Sequence, residues 1–315
     1  MKRLFYILTS VVLLVACSSD DDGLKSAGND VRVPLEIVAS ITLPVEGITR
    51  AAETAWEAGD KIGIFVTNRN TSTIYPSDEP AKGTNVEYSF DDGTNYETYG
   101  TTYRLFTPNS NKIYLSDTRV DVYGYYPYSE TYSNPEVIGI NVENQTSQNA
   151  IDFMRAKRGN VSNENASVEL LFQHKLVKLV FNLKQGEGLL PDELKEATYL
   201  GMTIGNQRTQ ANYNIFTDAF TMTSDPSAIT PIRASSAPSG YVRTFEAIVL
   251  PNGSGNSAQD RTVTITFYRN ANDQIVNTFK IPGTTVFNSG YKYTFNVTVN
   301  ATSIVVDKDK YTEQW

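Results

Sequence analysis

The sequence predicts an all-β protein of β-sandwiches in tandem, on three observations. Apolar and polar residues alternate in many short runs, Gly, Asn, Asp and Pro separate those runs, and almost no stretch keeps a 3.6-residue apolar period. Tyr (19) outnumbers Phe (14), and such rings suit half-buried pleated strands. With 315 residues, 40% hydrophobic and 20% charged, the chain has a globular composition and the length for two ordinary domains.

Taken in order, the first element is a targeting segment. Lys2 and Arg3 precede 13 mostly apolar residues, 4–16. A helix rising about 1.5 Å per residue cannot cross roughly 30 Å of hydrocarbon at that length, so the run is a signal peptide over residues 1–16. Leu14-Val15-Ala16-Cys17 reads as a lipobox, in which Cys17 receives a diacylglyceryl group. Ser18-Ser19-Asp20-Asp21-Asp22 follows it directly.

Residues 33–43 carry the clearest alternation. Val33, Leu35, Ile37, Ala39, Ile41 and Leu43 are apolar, whereas most positions between them are polar or Pro. That pattern predicts a strand with one buried face, and Pro34 marks an edge strand or a strand start. Further runs predict strands at 61–67, 103–106, 120–126, 137–142, 168–172, 177–183 and 198–204, then at 214–216, 245–249, 262–268, 275–281, 291–299 and 303–306. The one helical turn is expected around 191–197, where Asp192, Glu193 and Lys195 share a turn. The polar stretch 157–165 lacks apolar periodicity and is read as the domain boundary, giving domains at 51–162 and 163–301. No fixed-period repeat is present, which argues against solenoids and propellers.

The chemistry-bearing residues are few. Cys17 is the only cysteine, so no intrachain disulfide or Cys-based metal site can form. His174 is the only histidine, and no Gly-x-Ser-x-Gly element accompanies it. A Ser-His-Asp arrangement and a multi-His zinc site are therefore not indicated, and His174 reads as a packed or interfacial strand residue. No phosphate loop is present, and no carboxylate pair is set at glycosidase separation. We expect no enzyme, no metal and no cofactor. The formal net charge of −8, without a dense Lys/Arg cluster, argues against a nucleic-acid partner.

Tyr96, Tyr99, Tyr103, Tyr123, Tyr125, Tyr126, Tyr128 and Tyr132 crowd one segment. They read as strand residues with amphipathic rings, or as a surface that holds glycans or host proteins. Arg50 stands among small residues in Gly47-Ile48-Thr49-Arg50-Ala51-Ala52. Cutting the Arg50–Ala51 bond would separate the lipid-bearing strand from everything after it.

The acidic run after Cys17 resembles the surface-export signal of Bacteroidetes lipoproteins, which implies a tether to the outer face of the outer membrane. The chain as a whole resembles the fimbrillin family of Bacteroidetes, the Mfa-like and major-fimbrium subunits called type V pilins. The residues that carry the likeness are the lipobox, Thr49-Arg50-Ala51, Trp56 with Gly59-Asp60-Lys61-Ile62-Gly63-Ile64, and Tyr125-Tyr126-Pro127-Tyr128. Asp152-Phe153-Met154-Arg155-Ala156, Leu171-Phe172-Gln173-His174-Lys175-Leu176, Gly290-Tyr291-Lys292-Tyr293 and Trp315 continue it.

The resemblance implies two transthyretin-like Greek-key β-sandwich domains and export as a lipoprotein. It also implies cleavage by a trypsin-like, arginine-specific protease after Arg50. The first strand then leaves, and the C-terminal strand of another fimbrial subunit fills the groove. Residues 17–50 become a propeptide and 302–315 the donor, with Ile304, Val305, Val306, Tyr311 and Trp315 as its apolar and aromatic residues. The same tail also reads as the last edge strand of its own domain. A monomeric surface lipoprotein that binds through the Tyr-rich loops is the alternative to a shaft or tip subunit.

Overall fold

The structure, a computed structural model, describes residues 31–42, 55–76, 83–98, 101–109, 112–197, 199–252, 259–270, 272–307 and 311–315. The first half contributes β1 (Val33–Pro34), β2 (Glu36–Ile41), β3 (Lys61–Asn68), β4 (Val86–Thr98), β5 (Thr101–Pro108), β6 (Tyr114–Leu115), β7 (Val120–Tyr126), β8 (Ile138–Asn141), β9 (Met154–Val161) and β10 (Ser167–His174). A short α1 (Gln148–Ile151) precedes β9. The second half opens with β11 (Val177–Gln185), α2 (Glu193–Glu196), β12 (Leu200–Gln207), β13 (Gln210–Asn214), β14 (Ala219–Met222), β15 (Ser227–Ile229) and β16 (Ile232–Arg233). It ends with β17 (Arg243–Val249), β18 (Arg261–Asn270), β19 (Asp273–Ile281), β20 (Tyr291–Val299), β21 (Ile304–Val306) and β22 (Tyr311–Gln314).

Seven strands close a barrel in the order β10-β2-β5-β4-β3-β7-β9. Its interior is an apolar cluster that includes Ile62, Ile64 and Val66 from β3 and Val120 and Val122 from β7. Phe65 points the other way from β3, as a period of two requires, and joins a different cluster. Gly63 lies opposite Tyr125 in the register, and a Cβ there would come within 2.1 Å of the tyrosine ring. The alternating Ile-Gly-Ile-Phe-Val therefore fills two cores and leaves room for one ring.

In the second half a sheet ordered β16-β17-β11-β20-β21, with β22 also on β20, packs on a sheet ordered β15-β12-β18-β19. Val177, Leu179, Phe181 and Leu183 of β11 and Tyr293, Phe295, Val297 and Val299 of β20 meet Ile204, Val263, Ile265 and Phe267 in one cluster between the sheets. A third cluster joins the halves: β8, β13 and β14 form their own sheet, and Phe65, Tyr125, Ile138, Tyr213, Ile248 and Trp315 share its core. Residues 31–315 accordingly form one compact unit.

The expected strands at 120–126 and 291–299 coincide with β7 and β20, and helix α2 lies within 191–197. Three expectations are corrected. Residues 157–165 run through the end of β9, a 3-10 turn and the approach to β10, and both strands belong to the barrel. The chain thus leaves the barrel between His174 and Val177, not at 162. Its polarity arises because 157–160 are exposed at the barrel surface. Residues 215–218 form a turn after β13, so 214–216 is not a strand. Finally, the run from Val33 divides into β1 and β2, with Pro34 at the strand start and not on an edge of the barrel, and the burial is not one-sided: β2 lies between β5 and β10, and Val38 and Ser40 are buried along with Leu35, Ile37, Ala39 and Ile41.

Candidate functional site

β2 is held from both sides. It runs parallel to β10, with Glu36 to Ile41 opposite Ser167 to Phe172, and antiparallel to β5, with Ile37 opposite Phe106. Leu35, Ile37, Ala39 and Ile41 are between 0 and 5% exposed within the barrel core. Val33 is half-buried in β1 opposite Leu115, and Pro34 sits at this start, where its missing N–H costs no ladder bond. The amide of Leu35 donates to Ile113 O (2.8 Å), and that of Thr42 donates to Phe172 O (2.8 Å).

Two aromatic residues lock the strand further. Trp56 Nε1–H donates to Ala39 O (3.1 Å), and its ring meets Phe106, Tyr126 and Phe172 edge-on at centroid distances of 5.1–5.5 Å. The Tyr88 hydroxyl donates to Leu35 O (3.3 Å), and burial pushes that hydroxyl's pKa above its ordinary value. Trp56 carries no role in the sequence pattern; the one available signal is a bulky aromatic residue in the connection shortly before the expected 61–67 strand. Leu43, Arg50, Ala51 and Cys17 lie outside the described residues.

The C-terminal tail is docked on its own sheet. β21 and β22 both pair antiparallel with β20, Val297–Val299 opposite Val306–Ile304 and Tyr291–Thr294 opposite Gln314–Tyr311. Ile304 and Val306 pack against the sandwich core, whereas Val305 is 53% exposed. Trp315 follows β22, is 6% exposed, and donates its backbone N–H to Gly290 O (2.7 Å). Lys292 and Glu313 pair across the β20–β22 ladder.

Trp315 also reaches the barrel. Its ring stacks on His174 at the end of β10, with a centroid distance of 4.3 Å and an interplanar angle of 11°. His174 Nδ1 lies 2.9 Å from Asp152 Oδ2, so the only histidine is packed and paired. Beside it, Lys175 Nζ donates to Asp218 (2.8 Å), which also accepts from Tyr213 and faces Arg155. Burial raises the Asp218 pKa, but the hydrogen bonds from Lys175 and Tyr213 and the two cationic charges outweigh it and hold the carboxyl below its ordinary value. The barrel strand that touches β2 and the tail at the far sheet edge thus meet through His174 and Trp315.

Tyr123 and Tyr125 are buried in the joining cluster, and Tyr128 and Tyr132 are half-buried against it. Burial pushes the Tyr125, Tyr126 and Tyr132 hydroxyls above their ordinary pKa. These rings therefore serve packing and do not form an exposed stacking platform; Tyr99 lies outside the described residues. Among the described residues, no group of three or more His, Cys, Asp or Glu is placed to hold a metal ion.

A family model described as fimbrillin-like matches residues 49–315. A candidate fimbrium subunit of Bacteroides uniformis, Fim1C, is 31% identical over 223 residues, covering 69% of this chain and 65% of the relative. The chain thus spans about two thirds of that relative's length. Among solved structures, a candidate cell adhesion protein from Bacteroides uniformis superposes with a TM-score of 0.66 at 27% identity, covering 91% of this chain and 99% of that one. A candidate cell adhesion protein from Bacteroides ovatus gives a TM-score of 0.64 at 20% identity, over 90% and 98% of the two chains, a likeness of fold.

Proposed function

Since this chain belongs to the fimbrillin-like family, we propose that it is a structural subunit, shaft or tip, of cell-surface fimbriae that support adhesion and biofilm formation. It is exported as a lipoprotein anchored through Cys17 to the outer membrane, cut after Arg50 by an arginine-specific protease, and polymerised by strand exchange. The barrel and the sandwich are read as its two transthyretin-like domains, because β2 lies parallel beside β10, the last barrel strand, and β11 lies parallel beside β20, the last strand before the tail. The role is architectural and not enzymatic.

One observation carries this reading: β2 fills a slot between β5 and β10 and ends nine residues before Arg50. Leu35, Ile37, Val38 and Ile41 are each at most 5% exposed, and burying four such side chains contributes roughly 6–12 kcal/mol. That is comparable with the whole stability of a domain, about 5–15 kcal/mol, so a barrel stripped of β2 needs a replacement strand. The replacement would pair with both exposed edges, which is β-strand addition. Trp56 follows the cut and would remain to grip the incoming backbone as it grips Ala39 O.

The donor is the 302–315 tail of another subunit. It presents Ile304 and Val306 to one side, and Tyr311 and Trp315 lie beyond the polar 307–310 break. Donation requires the tail to leave β20, where only one of its backbone edges is paired. The test is to treat the soluble full-length precursor with an arginine-specific protease and to sequence the N-terminus of any filaments. Filaments beginning at Ala51 are expected. Cleaved protein that stays monomeric, or surface material that always keeps residues 17–50, sinks the polymer reading and leaves a tethered monomeric binder.

A further inference from the structure

Among the described residues, β19 pairs with β18 alone and is the longest strand at a sheet edge. It has nine residues, whereas β8, β14, β15, β16, β21 and β22 have four at most. Its ladder to β18 is regular from Gln274 to Ile281, with no bulge and no proline in that span. Proteins ordinarily blunt such an edge with a proline, a bulge or a charge in mid-strand. Here Gln274 to Phe279 are all uncharged, in a chain of formal net charge −8.

The free backbone groups follow from the ladders. Tyr268 N–H donates to Tyr199 O, so the even-numbered residues of β18 turn their N–H and C=O towards β12. The odd-numbered ones face β19 and lie opposite its odd-numbered residues. Gln274, Val276, Thr278 and Lys280 therefore direct their N–H and C=O outward, where no described strand takes them up. Their side chains are exposed as well, Val276 by 52%. The strand is nonetheless fixed: Ile275 and Ile281 are buried, and Asn277 Nδ2 donates to Asn300 O (2.9 Å).

A second β19, antiparallel and related by a two-fold axis at Asn277, matches this edge. Gln274 then lies opposite Lys280 of the partner subunit, and Val276 lies opposite Thr278 of the partner subunit. Each outward residue meets another outward residue, as a ladder requires. A slip of one residue would oppose groups that face away, and a slip of two would leave one residue unmatched. Val and Thr facing each other make a favourable β-branched pair. The charges agree too, because Asp273 with Arg269 (3.7 Å) marks one end of β19 and Lys280 with Asp260 (3.6 Å) the other. The two-fold sets Asp273 beside Lys280 of the partner subunit at both ends of the contact. We propose that β19 is a self-association edge, on which a second copy of this chain adds its own β19 and joins two four-stranded sheets into one. A two-fold contact closes on itself and makes pairs of chains. It uses neither the Arg50 cut nor the tail, and between assembled fimbriae it would tie two filaments side by side.

The test is sedimentation velocity of the soluble, uncut full-length chain over a range of concentrations. A monomer–dimer equilibrium is expected, with a Kd on the order of 10–100 μM, since one added strand buries less than a standard interface. Amide exchange at 274, 276, 278 and 280 should slow several-fold at high concentration, while 275, 277 and 279, already bonded to β18, barely change. Thr278→Pro removes an outward N–H without breaking a bond to β18, and should weaken pairing about tenfold or more with little change in melting temperature. Val276→Lys, at an exposed position, sets two added cations about the axis and should weaken pairing similarly, which keeps the test open if the proline variant is unstable. Thr203→Lys, exposed on β12 of the same sheet, is the control and should pair like the parent. A chain that stays monomeric at about 500 μM overturns the proposal. So do edge variants that both dimerise like the parent, or even-numbered β19 amides that exchange alike at low and high concentration, since any dimer then forms elsewhere.

Discussion

Ile37 is fully buried where β2 faces Phe106 of β5 and Val168 of β10, so Ile37→Ala tests how firmly the barrel holds this strand. Truncating a buried Ile to Ala costs about 2–5 kcal/mol, through lost burial and the cavity left behind. For a cooperative unit of this size each kcal/mol lowers the melting temperature by about 2–4 °C, which gives a fall of roughly 4–20 °C. Val305→Ala, at a position 53% exposed, is the matched control and should stay within about 0.5 kcal/mol of the parent. After cleavage at Arg50 the parent and Ile37→Ala share identical bodies, so a difference between them reports only how long the strand stays. At about tenfold per 1.4 kcal/mol, the altered strand should leave up to roughly 30- to 4,000-fold faster, and filaments should appear sooner. Melting is read by circular dichroism and assembly by light scattering. Equal melting of Ile37→Ala and Val305→Ala, or equal assembly after cleavage, would refute the argument that β2 is the plug.

Trp315→Ala removes a buried ring that joins tail to barrel. Amide exchange in β22 should rise by one to three orders of magnitude while β3 and β7 stay protected; uniform acceleration would mean the tail is integral to the whole fold. Deleting residues 302–315 should leave a folded monomer that cannot polymerise once cleaved, and filaments of normal length would place the donor elsewhere. Asp218 has a folded-state pKa below its ordinary value, so its contribution is fully present above the ordinary carboxylate range and is lost as pH falls through the lowered value. Solvent screening at a side chain 41% exposed keeps that contribution below about 1 kcal/mol. Asp218→Asn should therefore melt slightly lower at neutral pH and converge with the parent in acid, and a constant gap at all pH values would contradict the assignment.

Much of this was legible because alternation reports directly on strands with a buried face. The alternation of 33–43 marked a core-facing row, and of its odd-numbered residues Leu35, Ile37, Ala39 and Ile41 enter the barrel core as the pattern required. The burial of Val38 and Ser40 was not legible, since a period of two identifies one face and says nothing of what covers the other. β9 was misread as a boundary because half of it is exposed, so its sequence lacks the apolar partners that mark strands. Short strands such as β15 and β16 owe their existence to a neighbour's ladder, and their own residues carry no pattern. His174 was rightly placed in a packed strand. Its stacking on Trp315, between residues far apart in sequence, could only come from the fold.

Under the proposed strand exchange, the topology favours removal of β2 over its counterpart β11. Each occupies the same kind of place, parallel to a late strand of its half (β10 or β20) and antiparallel to another neighbour. A single cut in the β2–β3 connection severs β2 from every other barrel strand. β11 follows β10 after only a few residues and leads on to β12, so one cut on either side leaves it tied to one half of the molecule. The family match begins at residue 49, beside Arg50 and after β2, so the residues it covers are nearly those that such a cut would leave behind. β20, by contrast, presents one edge to β21 and β22, which hold by a single ladder, by Ile304 and Val306 on the core, by the Lys292–Glu313 pair and by Trp315. A strand paired on two sides is held by two ladders, whereas one paired on a single side breaks only one to leave. In the proposed exchange, β2 would be the plug that one cleavage releases and the 302–315 tail the strand that is donated.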